Sequence, residues 1–240
     1  IRDEPNGIRS YCHIGTGNYN PKTARMYEDL GILSADSELT DDLTKLFNQL
    51  SGFAPQSTYS RLLVAPKTLR PGIMERIDRE IENAKAGKPS GIQFKLNSIL
   101  DEAFVEKLYE ASKAGVKVDL LIRGICAVQP SIKGVSENIH VRSVLGRFLE
   151  HSRILHFVNG GKNEYWIGSA DLMARNLDRR VEALVRVDKK EHQIRLQKLL
   201  DLGLSEDVSS WHLKGTQWSK SSKNLKDLHS DLANKYSKDR

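Results

Sequence analysis

FLEHSRILHFVNGGKNEYWIGSAD, residues 148–171, is the stretch on which the fold turns. Phe148–Val158 and Tyr165–Ile167 read as two strands bracketing Asn159-Gly160. Asn-Gly is the strongest short hairpin signal, because both positions must accept positive φ. The second arm ends in Gly168-Ser169-Ala170-Asp171, and small residues at a strand end let backbone N–H groups approach an anion closely. On the first arm, His151 and Arg153 stand two residues apart, which on a strand places both on one side. An imidazole and a guanidinium facing a Gly-Ser turn make a phosphate station. Arginine offers a bidentate fork, and histidine serves as nucleophile or general acid. Glu182, on the last strand, is the candidate acceptor that orients the imidazole.

The pattern occurs twice. Asn6-Gly7 leads eight positions later to Ile14-Gly15-Thr16-Gly17-Asn18, and Asn159-Gly160 leads eight positions later to Ile167-Gly168-Ser169-Ala170-Asp171. One such turn is ordinary punctuation, but two at matched offsets indicate a duplicated unit. The same spacing puts the histidine matching His151 just before Ile1. The first copy is therefore expected to lack its first arm, and a chain opening on Ile1 is expected to be a piece of something longer.

Outward from these hairpins, strands and helices alternate. Ile8–Ile14 reads as a strand, Pro21–Leu30 as a helix, and Thr40–Leu50 as a better helix capped by Thr40. Ser51–Ser60 is a polar connector and the candidate domain boundary. Then follow a strand at Arg61–Ala65, a helix at Pro71–Ala86, a strand at Gly91–Leu96, a helix at Asp101–Ala114 and an apolar strand at Val116–Ile122. Ile139–Val144 and Val181–Val187 are further strands, and Glu191–Leu202 a further helix. The class is α/β, with mixed β-sheets flanked by helices. From about Gly215 the chain is rich in Lys and Ser, as a frayed or loosely helical tail is.

Composition agrees. The 240 residues are 39% hydrophobic and 28% charged, an ordinary globular balance. Thirty-seven Lys and Arg against 31 Asp and Glu give +6, which suits an anionic partner without separating nucleotide, nucleic acid and lipid. Two cysteines, Cys12 and Cys126, exclude a disulfide scaffold and a four-cysteine zinc site. No apolar run reaches membrane-span length and no signal peptide opens the chain, so a cytoplasmic location is expected. Gly15-x-Gly17 lacks the third glycine of a dinucleotide fingerprint, and Gly87-Lys88 runs into Pro89 rather than a P-loop hydroxyl.

From Tyr11 to about Val187 the chain resembles the C-terminal half of the long bacterial polyphosphate kinases, in the phospholipase-D-like superfamily. The matching stretches are HIGTGNYNPKTARMYEDLG, DREIENAKAGKPSGI, LYEASKAGVKVDLLIRGIC, SENIHVRSVLGRFLEHSRI and IGSADLMARNLDRRVE. The resemblance implies two phospholipase-D-like domains, the first truncated at its N-terminus. Residues 1–56 would be the end of the first catalytic domain, 57–212 the second, and 213–240 a polar tail. It implies reversible transfer of the ATP terminal phosphate to inorganic polyphosphate through a phosphohistidine. That histidine, in an H-x-K motif, would lie upstream of Ile1, as would the arginines contacting magnesium. Mg²⁺ with ATP is the implied cofactor, and no metal ligand is expected in this segment. The partners implied are ATP, ADP and polyphosphate, with no specific nucleic acid. The intact enzyme would be a homo-oligomer, with no transmembrane segment and peripheral membrane association left open.

Residue by residue, the resemblance makes His151 the second catalytic histidine, handling a proton or assisting transfer. It makes Arg123 a nucleotide-phosphate ligand, Tyr27 the aromatic beside adenine, and His13 an important histidine that is not phosphorylated. Arg153 would hold phosphate beside Arg123. Asn18, Ser169, Asn176 and Glu182 are supporting candidates, and Arg175, Arg179 and Arg180 extend a basic cluster. The motif reads His-x-Arg rather than the superfamily's His-x-Lys, which counts against the first rival, a phosphodiesterase or nuclease. The second rival is a non-catalytic fragment that merely holds polyanions. His140, His156, His192, His212 and His229 share no metal spacing and receive no role.

Overall fold

The computed structural model describes residues 1–53, 58–221 and 225–237. In chain order the elements are β1 Arg2–Glu4, β2 Gly7–Arg9, β3 Cys12–Gly15, β4 Tyr27–Glu28, β5 Gly31–Ser34, α1 Ser37–Leu50, β6 Leu62–Val64 and α2 Leu69–Lys85. There follow β7 Ile92–Leu96, α3 Glu102–Lys113, β8 Val118–Ile122, β9 Ile139–Ser143, β10 Leu149–Glu150, β11 Ile154–Phe157 and β12 Glu164–Gly168. The last are β13 Ala183–Val187, α4 Lys190–Leu204, β14 Trp211–Lys214, β15 Gln217–Lys220 and α5 Leu228–Ser237.

Nine strands form one mixed sheet, ordered β15-β14-β9-β8-β7-β11-β12-β13-β6. Its centre, β7-β8-β9, is parallel, and the remaining neighbours pair antiparallel. Adjacent residues enter opposite cores: Leu120 packs with Ile73, Ile77 and Phe104 from α2 and α3, while Leu121 packs with Leu196, Leu200 and Leu228 from α4 and α5. A parallel sheet covered on both faces needs near-continuous apolar strands, and all five residues of β8 are buried. The first 50 residues stand against the second face, with Leu39 and Leu46 of α1 in that core. Asp42 of α1 accepts the backbone N–H groups of Ser60 and Arg61 at 2.8 and 2.6 Å, tying that helix to the start of β6.

The α/β class and the mixed sheet are as expected, with several local differences. The cap of α1 is Asp36, not Thr40, with its carboxylate accepting Leu39 N–H at 3.1 Å. The Asn6-Gly7 hairpin has a first arm, because β1 pairs with β2 around Pro5-Asn6, and the expected strand Ile8–Ile14 divides into β2 and β3. Pro21–Leu30 is not a helix. Asn20 caps a turn through Lys22 N–H (2.9 Å) and Ala24 N–H (2.8 Å), and Tyr27–Glu28 is drawn into a parallel pairing with β10. Long-range pairing here outweighs a weak helical preference. The expected strand Phe148–Val158 breaks after Glu150, so His151-Ser152-Arg153 lies between β10 and β11. The stretch from Gly215, expected to be frayed or loosely helical, holds a strand and a helix: β14 adds to the open edge of β9 and turns at Gly215 (φ +59°) into β15, and α5 follows at Leu228–Ser237. The expected boundary between residues 56 and 57 falls outside the described residues.

The second hairpin is held from both ends. Beneath its turn, wholly buried Glu80 accepts the N–H groups of Asn159 (2.8 Å) and Gly91 (3.1 Å). At its far end Gly168 lies so close to β13 that a Cβ would meet the Ala183 carbonyl oxygen at 1.9 Å. Neither backbone can retreat without breaking the ladder, so Gly168→Ala is expected to destabilise the chain by about 3 kcal/mol. Urea unfolding checks this as a lowered midpoint.

Candidate active site

Arg153 joins the two duplicated turns. Its Nη1 donates to the Thr16 carbonyl oxygen at 3.2 Å in the first turn, and Nη2 to Asp171 Oδ2 at 3.0 Å in the second. Nη1 also donates to the His151 carbonyl oxygen at 2.9 Å and lies 3.2 Å from ring Nε2. Arg153 is buried, so it does not offer its fork to solvent. Its Nη1 and Nη2 engage carbonyl oxygens and Asp171, while the buried Nε has no hydrogen-bond partner among the described residues.

Asp171 is fixed in turn. Its Oδ1 accepts the N–H groups of Asn97 (2.7 Å) and Ser98 (3.2 Å), and Asn97 Nδ2 reaches Oδ2 at 3.2 Å. Asn97 Oδ1 then accepts Arg123 Nε at 3.0 Å and Nη2 at 2.8 Å. A continuous hydrogen-bonded chain therefore runs Arg123–Asn97–Asp171–Arg153–His151. Arg123 stands just past the C-terminal end of central strand β8, where ligands of open α/β sheets bind.

His151 is held from the first half of the chain. Its Nδ1 lies 2.8 Å from Asp29 Oδ1, which also accepts Thr16 Oγ1–H at 2.7 Å. The Asp29 contact fixes Nδ1 as the donor and leaves Nε2 as the atom that takes or gives a proton. Burial opposes the charge on Asp29, but the His151 and Thr16 hydrogen bonds and the Arg153 charge outweigh it and hold the carboxyl below its usual range. The ring of Tyr27 packs on that of His151 with centroids 4.8 Å apart. Tyr27 in turn lines a 340 Å³ cleft together with Arg123, Arg147, Phe148 and Glu150. His151 is 6% exposed and sits behind this aromatic wall. A larger hollow, 410 Å³ beside β5 and β13, touches none of these residues.

Below the Tyr27–His151 pair lies a buried ionic cluster. Lys95 Nζ donates to Glu28 at 2.7 Å, Glu150 at 2.7 Å and Ser152 Oγ at 2.6 Å. Burial works against the Glu150 charge, yet Lys95 and His229 pull its carboxyl down to about 2. These bonds lock the β4–β10 pairing that presents Tyr27 and His151 side by side.

His151, Tyr27 and Arg123 thus come together at one site. The other expected residues do not all join them. Glu182 is not the acceptor for His151. It takes Asn176 Nδ2–H at 2.7 Å and the hydroxyl of Ser169, bracing the second turn from the far side, while Asp29 fills the role expected of it. His13 is exposed and bonds Tyr19 at 2.7 Å, and Asn18 is exposed at the end of the first turn. Among the described residues neither reaches His151 by a hydrogen bond. Arg175, Arg179 and Arg180 are exposed. Asp29, Asn97, Lys95 and His229 were not expected. The signal for Asp29 was the acidic pair directly after Tyr27, hidden by reading 21–30 as a helix.

Asp29 and Glu150 both bind protons less readily folded than unfolded. Their contribution to stability is present above the ordinary carboxylate range and is lost as pH falls through their lowered folded values. Stability is therefore expected to drop as pH goes from about 5 towards about 2. Asp29→Asn is expected to cost about 1–2 kcal/mol at pH 7 and to flatten that drop. Urea midpoints across this pH range check both.

Two family models match the chain: polyphosphate kinase C-terminal domain 1 over residues 1–56, and polyphosphate kinase C-terminal domain 2 over residues 62–231. A polyphosphate kinase of Streptomyces coelicolor is 57% identical over 213 residues, covering 89% of this chain and 29% of that protein. One of Prochlorococcus marinus is 52% identical over 214 residues, covering 89% of this chain and 30% of that protein. The crystal structure of polyphosphate kinase from Porphyromonas gingivalis superposes with a TM-score of 0.89 at 34% identity, over 96% of this chain and 36% of that one. The chain thus spans about three tenths of the length of these curated relatives. With both C-terminal domain models matched and relatives above half identity, the chain belongs to the polyphosphate kinase family.

Proposed function

We propose that the intact protein transfers the terminal phosphate of ATP reversibly to inorganic polyphosphate, through a phosphohistidine that the resemblance sets outside these 240 residues. The observation that carries this reading is the unbroken chain from Arg123 at the cleft to His151 behind Tyr27. In this reading residues 1–56 and 57–212 contribute to two catalytic domains that meet at Arg153, in a cytoplasmic homo-oligomer.

Phosphoryl transfer asks a protein chiefly to position its reactants and to stabilise charge on oxygens. Arg123, fixed by Asn97 through Nε and Nη2, keeps Nη1 to hold a phosphate oxygen. Tyr27 offers its open face to the base. Asp29 keeps the His151 ring in one tautomer, so that Nε2 handles the proton or the phosphoryl charge. Arg153 Nη1, 3.2 Å from Nε2, holds the ring from its other side. The carboxylates near the site do not fit a dedicated magnesium cage. Asp29 is engaged by His151 and Thr16, and Glu28 and Glu150 by Lys95. Magnesium in this reading arrives with the nucleotide. A phosphodiesterase is the less supported alternative, because Arg153 is buried in a strut rather than presented to a diester.

His151→Ala in the intact enzyme is expected to lower ATP-to-polyphosphate turnover by at least about 10²-fold, with ATP binding largely kept. Near-normal flux in that variant, or hydrolysis of a phosphodiester substrate by the wild type, overturns the assignment.

A further inference from the structure

Two guanidiniums line the cleft beside Tyr27, and among the described residues neither has a carboxylate partner. Arg123 bonds the amide oxygen of Asn97, and Arg147 lies 5.4 Å over the ring of its neighbour Phe148. The carboxylate that also lines the cleft, Glu150, is already taken by Lys95 at 2.7 Å and by His229 at 2.5 Å. Charge on this concave surface is therefore positive and unspent, and arginine forks match phosphate oxygens.

The placement of Arg147 is built rather than incidental. Its loop, 144–148, closes on the ring of His229 from helix α5. Phe148 N–H donates to His229 Nδ1 at 3.0 Å, which makes Nδ1 the acceptor and leaves Nε2–H to donate to Glu150 Oε1. At Gly146 a Cβ would lie 2.5 Å from the same Nδ1, so glycine is what lets the loop reach the ring. The ring itself is 3% exposed. A histidine this buried, satisfied at both nitrogens, fixes the backbone on either side of Arg147.

We propose that Arg147 is a second phosphate-binding residue of this cleft, taking a linear phosphoanhydride chain, and that His229 is the positioning residue that places it. Two forks on separate segments suit a ligand with several charged groups in a row. The inference rests on the reading that this cleft admits ATP or polyphosphate.

The test is calorimetric titration of the 240-residue chain with tripolyphosphate, ATP and adenosine. Arg147→Gln is expected to weaken tripolyphosphate and ATP about tenfold and to leave adenosine unchanged. Arg147→Lys, which keeps the charge without the fork, should recover part of the loss. A loss confined to tripolyphosphate assigns the residue to the polymer, and a loss on both to the shared phosphate chain. His229→Asn retains an acceptor for Phe148 N–H and should bind as the wild type does, whereas His229→Gln retains only the bond to Glu150 and should match Arg147→Gln. If Arg147→Gln binds both phosphate probes normally while Arg123→Gln does not, this inference falls and the reading of the cleft stands. If the two His229 variants behave alike, the positioning role falls. A wild-type chain that binds neither phosphate probe overturns both.

Discussion

One buried guanidinium organises the molecule. Arg153 spans the two halves of a duplicated pattern, with the first turn's carbonyl on one side and the second turn's carboxylate on the other. Taking such a charge out of water costs several kcal/mol, and only near-complete pairing offsets it. The paired arrangement thus leaves little freedom for either turn. Removing Asp171 would strand the charge, and shifting the first turn would unseat both Arg153 and the Thr16–Asp29 contact that orients His151. The rigidity of the site follows from this intolerance rather than from the strength of any single bond.

A second buried cluster stands beside the first and has a different task. Lys95, Glu28, Glu150 and His229 draw together a residue from the central sheet, two short paired strands and the C-terminal helix. The β4–β10 pairing is two residues long, too short to hold by backbone bonds alone. The ionic cluster beneath it is what keeps Tyr27 against His151.

The sequence made the periodic parts of this protein legible. The mostly apolar run of β8, interrupted at Asp119, and the Ile73-Ile77-Ile81 stripe of α2 each carry a local signature, and each forms as that signature implies. His151, Arg123 and Tyr27 emerged from the repeat and from the resemblance. What stayed hidden depends on pairings distant in sequence. Asp29 meets His151 across 122 positions, and His229 meets Glu150 across 79. No window of local composition records such contacts. Arg153 shows the converse: the two-residue spacing brought it beside His151, yet nothing in that spacing told whether its fork would turn outwards or inwards.

The grip of Arg153 on the two turns is unequal in kind. It holds the first by a main-chain carbonyl, which any residue at position 16 would supply, and the second by a side chain, which only a carboxylate can. The two halves of the duplication therefore face different rules of descent. Arg153 and Asp171 can change only as a pair, while the opposite turn answers to its own neighbours: the Thr16 hydroxyl bonds both Asp29 and the Leu30 backbone, and Gly15 and Gly17 leave no room for a side chain against Tyr19 and Asp29.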